Sequence, residues 1–136
     1  MDIKTIKKFL DKNNTIGFVG ATVQKDKWGY KKYKEIKKAG FKVYPINPRY
    51  KNIDGDKCFP SLNSLINFLN KKPELVITIV PPKITENIVE QCKTLGIDKV
   101  WMQPGSESEK SVKFCKDNDI EVVHNVCVVV DALQKL

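Results

Sequence analysis

The sequence predicts an α/β protein: a doubly wound parallel sheet with helices on both faces, in three layers, α/β/α. Three observations carry that expectation. Strand-like and helix-like patterns alternate along the 136 residues with short connections. Residues 15–20 and 75–80 are almost wholly apolar, as central parallel strands covered on both faces are. Glycine or proline stands where each of these runs should pass into a helix: Gly20 after the first, Pro81-Pro82 after the second.

Residues 2–13 place Ile3, Ile6, Phe9 and Leu10 at helical spacing among lysines, an amphipathic helix ended by Asn13-Asn14. The strand 15–20 follows. Residues 27–39 read as a helix with Trp28, Tyr30, Tyr33 and Ile36 inward or at its rim, stopped by Gly40. Residues 41–46 form the second strand. Asp54-Gly55 signals a turn, and Cys58-Phe59 suits a short edge strand. Pro60-Ser61 opens a helix carrying Leu62, Leu65, Ile66 and Leu69.

The strand 75–80 ends at two prolines, which cannot continue a ladder. Ile84, Ile88, Val89, Cys92 and Leu95 mark a helix ending at Gly96. Residues 99–102 are a strand and 103–105 a loop. Ser106 with Glu109 has the spacing of a capping box for a helix reaching about Asp117. Residues 120–123 give the last strand. The pattern of 126–136 does not choose between strand and helix. With no internal repeat or composition break, residues 1–136 are expected to form a single domain.

In a doubly wound sheet, ligands sit outside the carboxyl ends of the strands, where the winding reverses. The loops 20–29, 47–51, 80–83 and 103–105 should gather there. The net charge of +8 favours anionic partners. No helix-turn-helix, RNA-recognition or zinc motif speaks for nucleic acid. No apolar stretch approaches the ~20 residues that span a bilayer, and no apolar secretory core follows Met1, so a cytoplasmic protein is expected. Cys58, Cys92, Cys115 and Cys127 are too widely spaced for a zinc knuckle. His124, the only histidine, lacks the companions a metal site needs. Small size and an edge strand favour a homodimer.

The first strand tip is the strongest signal. A buried strand, a glycine turn and a helix start aim unpaired N–H groups at one point and attract a phosphate. The residues 17–22 do not match the dinucleotide pattern G-x-G-x-x-G. NAD enzymes carry an acid at the end of the second strand to hold ribose hydroxyls. Here Asn47, Pro48 and Arg49, then Lys51, stand in its place. Cations there suit a nucleotide bearing an extra phosphate. Val80, Pro81 and Pro82 make a rigid, donor-poor wall. Gln103 and Gly105 lie at a strand end where polar contacts to a ligand are common. Cys127 sits in an apolar run, either as a core residue or as a thiol facing the ligand.

Gly20-Ala21-Thr22, Lys27-Trp28-Gly29-Tyr30, 43–48, Val80-Pro81-Pro82 and 100–105, in that order, resemble the small stand-alone CoA-binding proteins. Those are similar to the N-terminal domain of the succinyl-CoA synthetase alpha subunit. The resemblance implies a Rossmann-like fold that binds coenzyme A or an acyl-CoA. It places Gly20, Ala21 and Thr22 on the diphosphate and Lys27, Trp28 and Gly29 where the ligand-proximal helix begins. Asn47, Pro48 and Arg49 would flank the nucleotide. Val80, Pro81 and Pro82 would line the cleft, with Gln103 and Gly105 facing it. Cys127 takes the place of a cysteine frequent in the family, for which a disulfide with CoA is implied. His124 does not match the phosphorylated histidine of the larger synthetases. The expectation is a binder rather than a catalyst, since no acid, base or nucleophile constellation is evident. A small NAD(P)-dependent oxidoreductase or an acyl-CoA ligase subunit are the alternatives.

Overall fold

The computed structural model describes all 136 residues. Five parallel strands form the main sheet: β1 (Thr15–Val19), β2 (Lys42–Ile46), β5 (Leu75–Thr78), β6 (Lys99–Met102) and β7 (Glu121–Val123). A small antiparallel hairpin, β3 (Asn52–Ile53) and β4 (Asp56–Lys57), follows β2. The helices are α1 (Ile3–Phe9), α2 (Trp28–Lys38), α3 (Leu62–Leu69), α4 (Pro82–Leu95) and α5 (Glu109–Asp117). The strand order is β2-β1-β5-β6-β7, so the winding reverses between β1 and β5. Val19 pairs with Thr78 there, which sets the tips leading to Gly20 and Val80 side by side. This is the doubly wound, Rossmann-like, three-layer fold that the sequence predicts.

The apolar runs explain the layers. Every residue of β1 and of β5 is buried, because both faces are covered. On one face Phe18, Leu75, Ile77 and Trp101 pack with α1, α2 and the C-terminal segment. On the other, Val19, Val76, Val100 and Met102 pack with α3, α4 and α5. Phe9 of α1 meets Trp101 edge-on at 5.9 Å. Trp101 is thus a core residue, and its indole N–H donates to the Val126 carbonyl at 3.0 Å.

Several boundaries differ from expectation. The first helix ends at Phe9, not near Asn13, because Asn13 N–H turns to the Asp11 carboxylate at 2.8 Å. The strand 75–80 stops at Thr78, although Ile79 N–H still reaches the Val19 carbonyl. Cys58-Phe59 is not a strand. Phe59 instead makes a single parallel bridge to Ile46: its N–H donates to Pro45 and its carbonyl accepts from Asn47. The edge of β2 is therefore less open than the sequence suggests. The capping box belongs to Ser108 and Ser111. The Ser106 hydroxyl is drawn away to Thr78 at 2.8 Å. Residues Val128–Ala132 form a π-helical turn, and Leu133–Lys135 a 3-10 turn.

Candidate functional site

The turn after β1 is built on two close backbone approaches. Gly20 has φ +107°, a conformation open to glycine, and a Cβ there would stand 2.5 Å from the Ile79 carbonyl oxygen. Gly29, in the first turn of α2, lies directly over the Gly20 carbonyl. The helix start is thereby pressed onto the strand tip. Between them, the N–H groups of Ala21, Thr22, Val23, Trp28 and Gly29 donate to no acceptor in the chain. Ala21 is fully buried. Buried donors without a partner are costly, and an anion is the partner that such a turn is suited to.

Asn47 ties the turn after β1 to the turn after β2. Its Nδ2 donates to the Ala21 carbonyl at 2.9 Å, and its Oδ1 accepts from Arg49 N–H at 2.9 Å. Thr22 Oγ1 is hydrogen-bonded to Tyr50 Oη at 3.0 Å and accepts from Gln24 N–H. Tyr50 was not singled out from sequence, where it stands as one more aromatic in a loop. Pro48, Arg49 and Lys51 are exposed beside this pair of turns. Lys27 precedes α2 and is exposed as well.

A cleft of about 260 Å³ opens next to these turns. Trp28 and Lys32 of α2 form one wall; Ile79, Gln103 and Pro104 bring the tips of β5 and β6; Cys127 and Val130 close it from the C-terminal segment. Sequence reasoning found Trp28, Gln103 and Cys127. It missed Lys32, which hides in the lysine-rich run 31–38, and Val130. Trp28 is 62% exposed, standing at the rim with the Lys31 and Lys32 ammonium groups 4.9 and 5.1 Å from its ring centre.

Gln103 is buried and holds the C-terminal segment in place. Its Oε1 accepts from Val128 N–H at 2.7 Å, and its Nε2 donates to Cys127 Sγ at 3.4 Å. Asp131 accepts from Cys127 N–H at 2.6 Å. The four cysteines are free thiols, and only Cys127 is half-exposed. Burial pushes the thiols of Cys92 and Cys115 up to about 12 and about 11, and raises that of Cys58.

The remaining sequence-predicted residues lie around the cleft rather than in its wall. Val80 packs on Gly20. Pro81 and Pro82 are exposed and open α4, with Pro82 at its first position. Gly105 has φ +91° and donates its N–H to Glu107 at 3.0 Å. His124 lies apart, its Nδ1 buried without a partner, beside a groove lined by α5. No cluster of three or more His, Cys, Asp and Glu side chains stands together as a metal site requires. No helix is long and apolar enough to cross a membrane.

The chain is 29% identical over 90 residues to the ADP-forming acetate–CoA ligase of Methanocaldococcus jannaschii, covering 66% of this chain and 12% of that one. It is 30% identical over 116 residues to the alpha subunit of ADP-forming acetate–CoA ligase II of Pyrococcus furiosus, covering 80% of this chain and 24% of that one. The chain thus spans less than a quarter of the length of either ligase polypeptide. Among solved structures, a conserved hypothetical protein of Pyrococcus furiosus superposes with a TM-score of 0.80 at 32% identity, covering 87% of this chain and 98% of that one. The model of the CoA binding domain matches residues 14–132. The chain belongs to the CoA-binding domain family.

Proposed function

We propose that the 136 residues act as one domain that binds coenzyme A or an acyl-CoA across the tips of β1, β2, β5 and β6 without catalysing its turnover. The observation that carries this reading is the glycine-built turn at Gly20 and Gly29, with its cluster of unpartnered N–H groups beside an apolar cleft. The diphosphate fits those N–H groups and the start of α2. The ribose 3′-phosphate fits Arg49 or Lys51, where arginine offers a two-pronged grip. The pantetheine arm then runs along Trp28 and Ile79 toward Cys127. No side chain in the cleft is paired with a base or acid in the manner of a nucleophile or proton donor.

The position of Cys127 adds a redox possibility to the same site. With oxidised coenzyme A (CoA disulfide) as co-reactant, the Cys127 thiolate attacks one sulfur and the CoA–CoA bond breaks. One CoA leaves as thiol, and the Cys127–CoA disulfide remains.

Calorimetric titration with CoA and 3′-dephospho-CoA tests the reading. Tighter binding of CoA, by about tenfold if one charge-assisted pair is lost, is expected. Equal affinities would remove the role given to Arg49 and Lys51, and absence of binding would remove the reading itself. The ligase relatives favour a second reading, a ligase subunit. Formation of acetyl-CoA from acetate, CoA and ATP by this chain would establish it.

A further inference from the structure

Lys32 is the residue in the cleft that binding of CoA itself leaves unexplained. It belongs to the wall of a mainly apolar space, with Trp28, Ile79, Pro104 and Val130 as companions. The residue is only 9% exposed. An ammonium group has three N–H donors, and none of those on Lys32 makes a hydrogen bond within the chain. Its one anionic neighbour, Glu35, stands at 3.5 Å, beyond the ordinary length of such a bond, and is itself half-exposed to solvent. The Trp28 ring at 5.1 Å provides its other favourable contact. A buried cation so poorly matched is costly unless something else neutralises it.

The phosphates of the ligand are poor candidates. The unpartnered N–H groups lie at residues 21–23 and 28–29, and the exposed Arg49 and Lys51 follow β2. Lys32 lies one turn further along α2, in the part of the cleft floored by the β5 and β6 tips and closed by Cys127. That is the end where the thiol or thioester of the pantetheine arm arrives. An anion placed there must be carried by the acyl group.

We infer that Lys32 makes this cleft selective for acyl-CoA thioesters whose acyl chain ends in a carboxylate. The inference rests on the CoA-binding reading and deepens it. The terminal carboxylate supplies the hydrogen-bonding anion that Lys32 lacks, and the apolar wall packs on the methylene groups between. A monocarboxylic acyl chain of the same length would bury a methyl group against the ammonium and leave it unpaired.

Titration calorimetry with succinyl- and glutaryl-CoA against butyryl- and pentanoyl-CoA tests this, since each pair differs by a carboxylate in place of a methyl. At least one of the acidic thioesters is expected to bind about tenfold more tightly than its neutral counterpart, as one charge-assisted hydrogen bond implies. Lys32→Met should abolish the preference, bringing each acidic thioester to the affinity of its neutral counterpart, while Lys32→Arg keeps the preference. Equal affinity of both pairs for the native chain, with CoA still bound, would overturn the inference and spare the CoA-binding reading. An equal fall in affinity for acidic and neutral thioesters in Lys32→Met, with the preference kept, would overturn it too, by assigning Lys32 to a part of the ligand that all of them share. Failure of every CoA compound to bind would overturn both.

Discussion

Gly29 sits so close to Gly20 that a Cβ built on it would lie 2.4 Å from the Gly20 carbonyl oxygen. The atom it would strike is backbone, fixed at the tip of β1, so the helix and not the neighbour must move. Gly29→Ala should therefore cost about 1–3 kcal/mol of stability, the usual penalty for overpacking a tight contact. It should also shift the N–H groups at the start of α2 and weaken CoA binding. Chemical denaturation and calorimetry on the same variant measure the two effects. A variant as stable as the parent and as tight for CoA would remove the turn from the binding argument.

Asn47→Ala removes the bond to the Ala21 carbonyl that joins the β1 and β2 turns, and the bond from Arg49 N–H that shapes the β2 turn itself. A cost of roughly 1–2 kcal/mol is expected, since two modest hydrogen bonds disappear at a half-buried site. The loss should fall on CoA more than on pantetheine, because the loosened loops belong to the nucleotide end. Comparing the affinities for CoA and pantetheine checks this.

Thiol labelling should find one cysteine. Burial holds Cys58, Cys92 and Cys115 protonated well above neutral pH, so they are inert at about pH 8. Cys127 alone is half-exposed, and it lines the cleft. Peptide mass spectrometry after brief treatment with a maleimide should show modification at Cys127 only, and saturating CoA should slow it. Labelling of Cys127 at an unchanged rate with CoA bound would place the coenzyme elsewhere.

Acid should loosen the hairpin that follows β2. Burial raises the Asp56 carboxyl, but Lys37 and the Tyr33 hydroxyl, at 2.7 Å, outweigh it and hold the group below the usual carboxylate range. The Tyr30 hydroxyl, then Lys34, do the same for Asp54. A carboxyl lowered in the folded chain stabilises it above the unfolded value of about 4. That contribution is lost as pH falls through the lower folded value. Stability should therefore decline below about pH 4, and Asp56→Asn should flatten that decline. Urea midpoints recorded across the acid range provide the measurement.

Gln103→Leu should free the C-terminal segment. The bonds to Val128 N–H and Cys127 Sγ vanish, and a buried N–H is left without a partner, at a cost of about 1–3 kcal/mol. Faster amide exchange confined to residues 126–132 is the expected signature; uniform change along the chain would mean global destabilisation instead.

The fold was legible because its central strands leave little choice. Residues 15–19, 75–78 and 99–102 are apolar runs too short for helices, bounded by turn residues. The segment after residue 126 was not legible, since Val126, Val128, Val129 and Val130 are β-branched and read equally as strand. Tertiary bonds from Gln103 and Trp101, far away in sequence, decide its course. Ser106 misled for a similar reason: its spacing from Glu109 suits a cap, but Thr78 claims its hydroxyl. In the site, Gly20 and Asn47 could be found by their place at strand ends, and Gly29 by its place at the start of the helix that follows. Lys32 could not, because a lysine among lysines looks solvated until the C-terminal segment folds over it.

The bridge from Phe59 to the outer side of β2 reaches beyond local shape. With the Pro45 carbonyl and the Asn47 N–H already taken, and no N–H on Pro45 to offer, a second chain finds little there to add a strand to. Self-association through one sheet running across two copies is closed off along that margin. Assembly of this domain with itself is left the opposite edge of the sheet, β7, and the side chains of its helical flanks, so its strength will follow substitutions there and not the backbone register of β2.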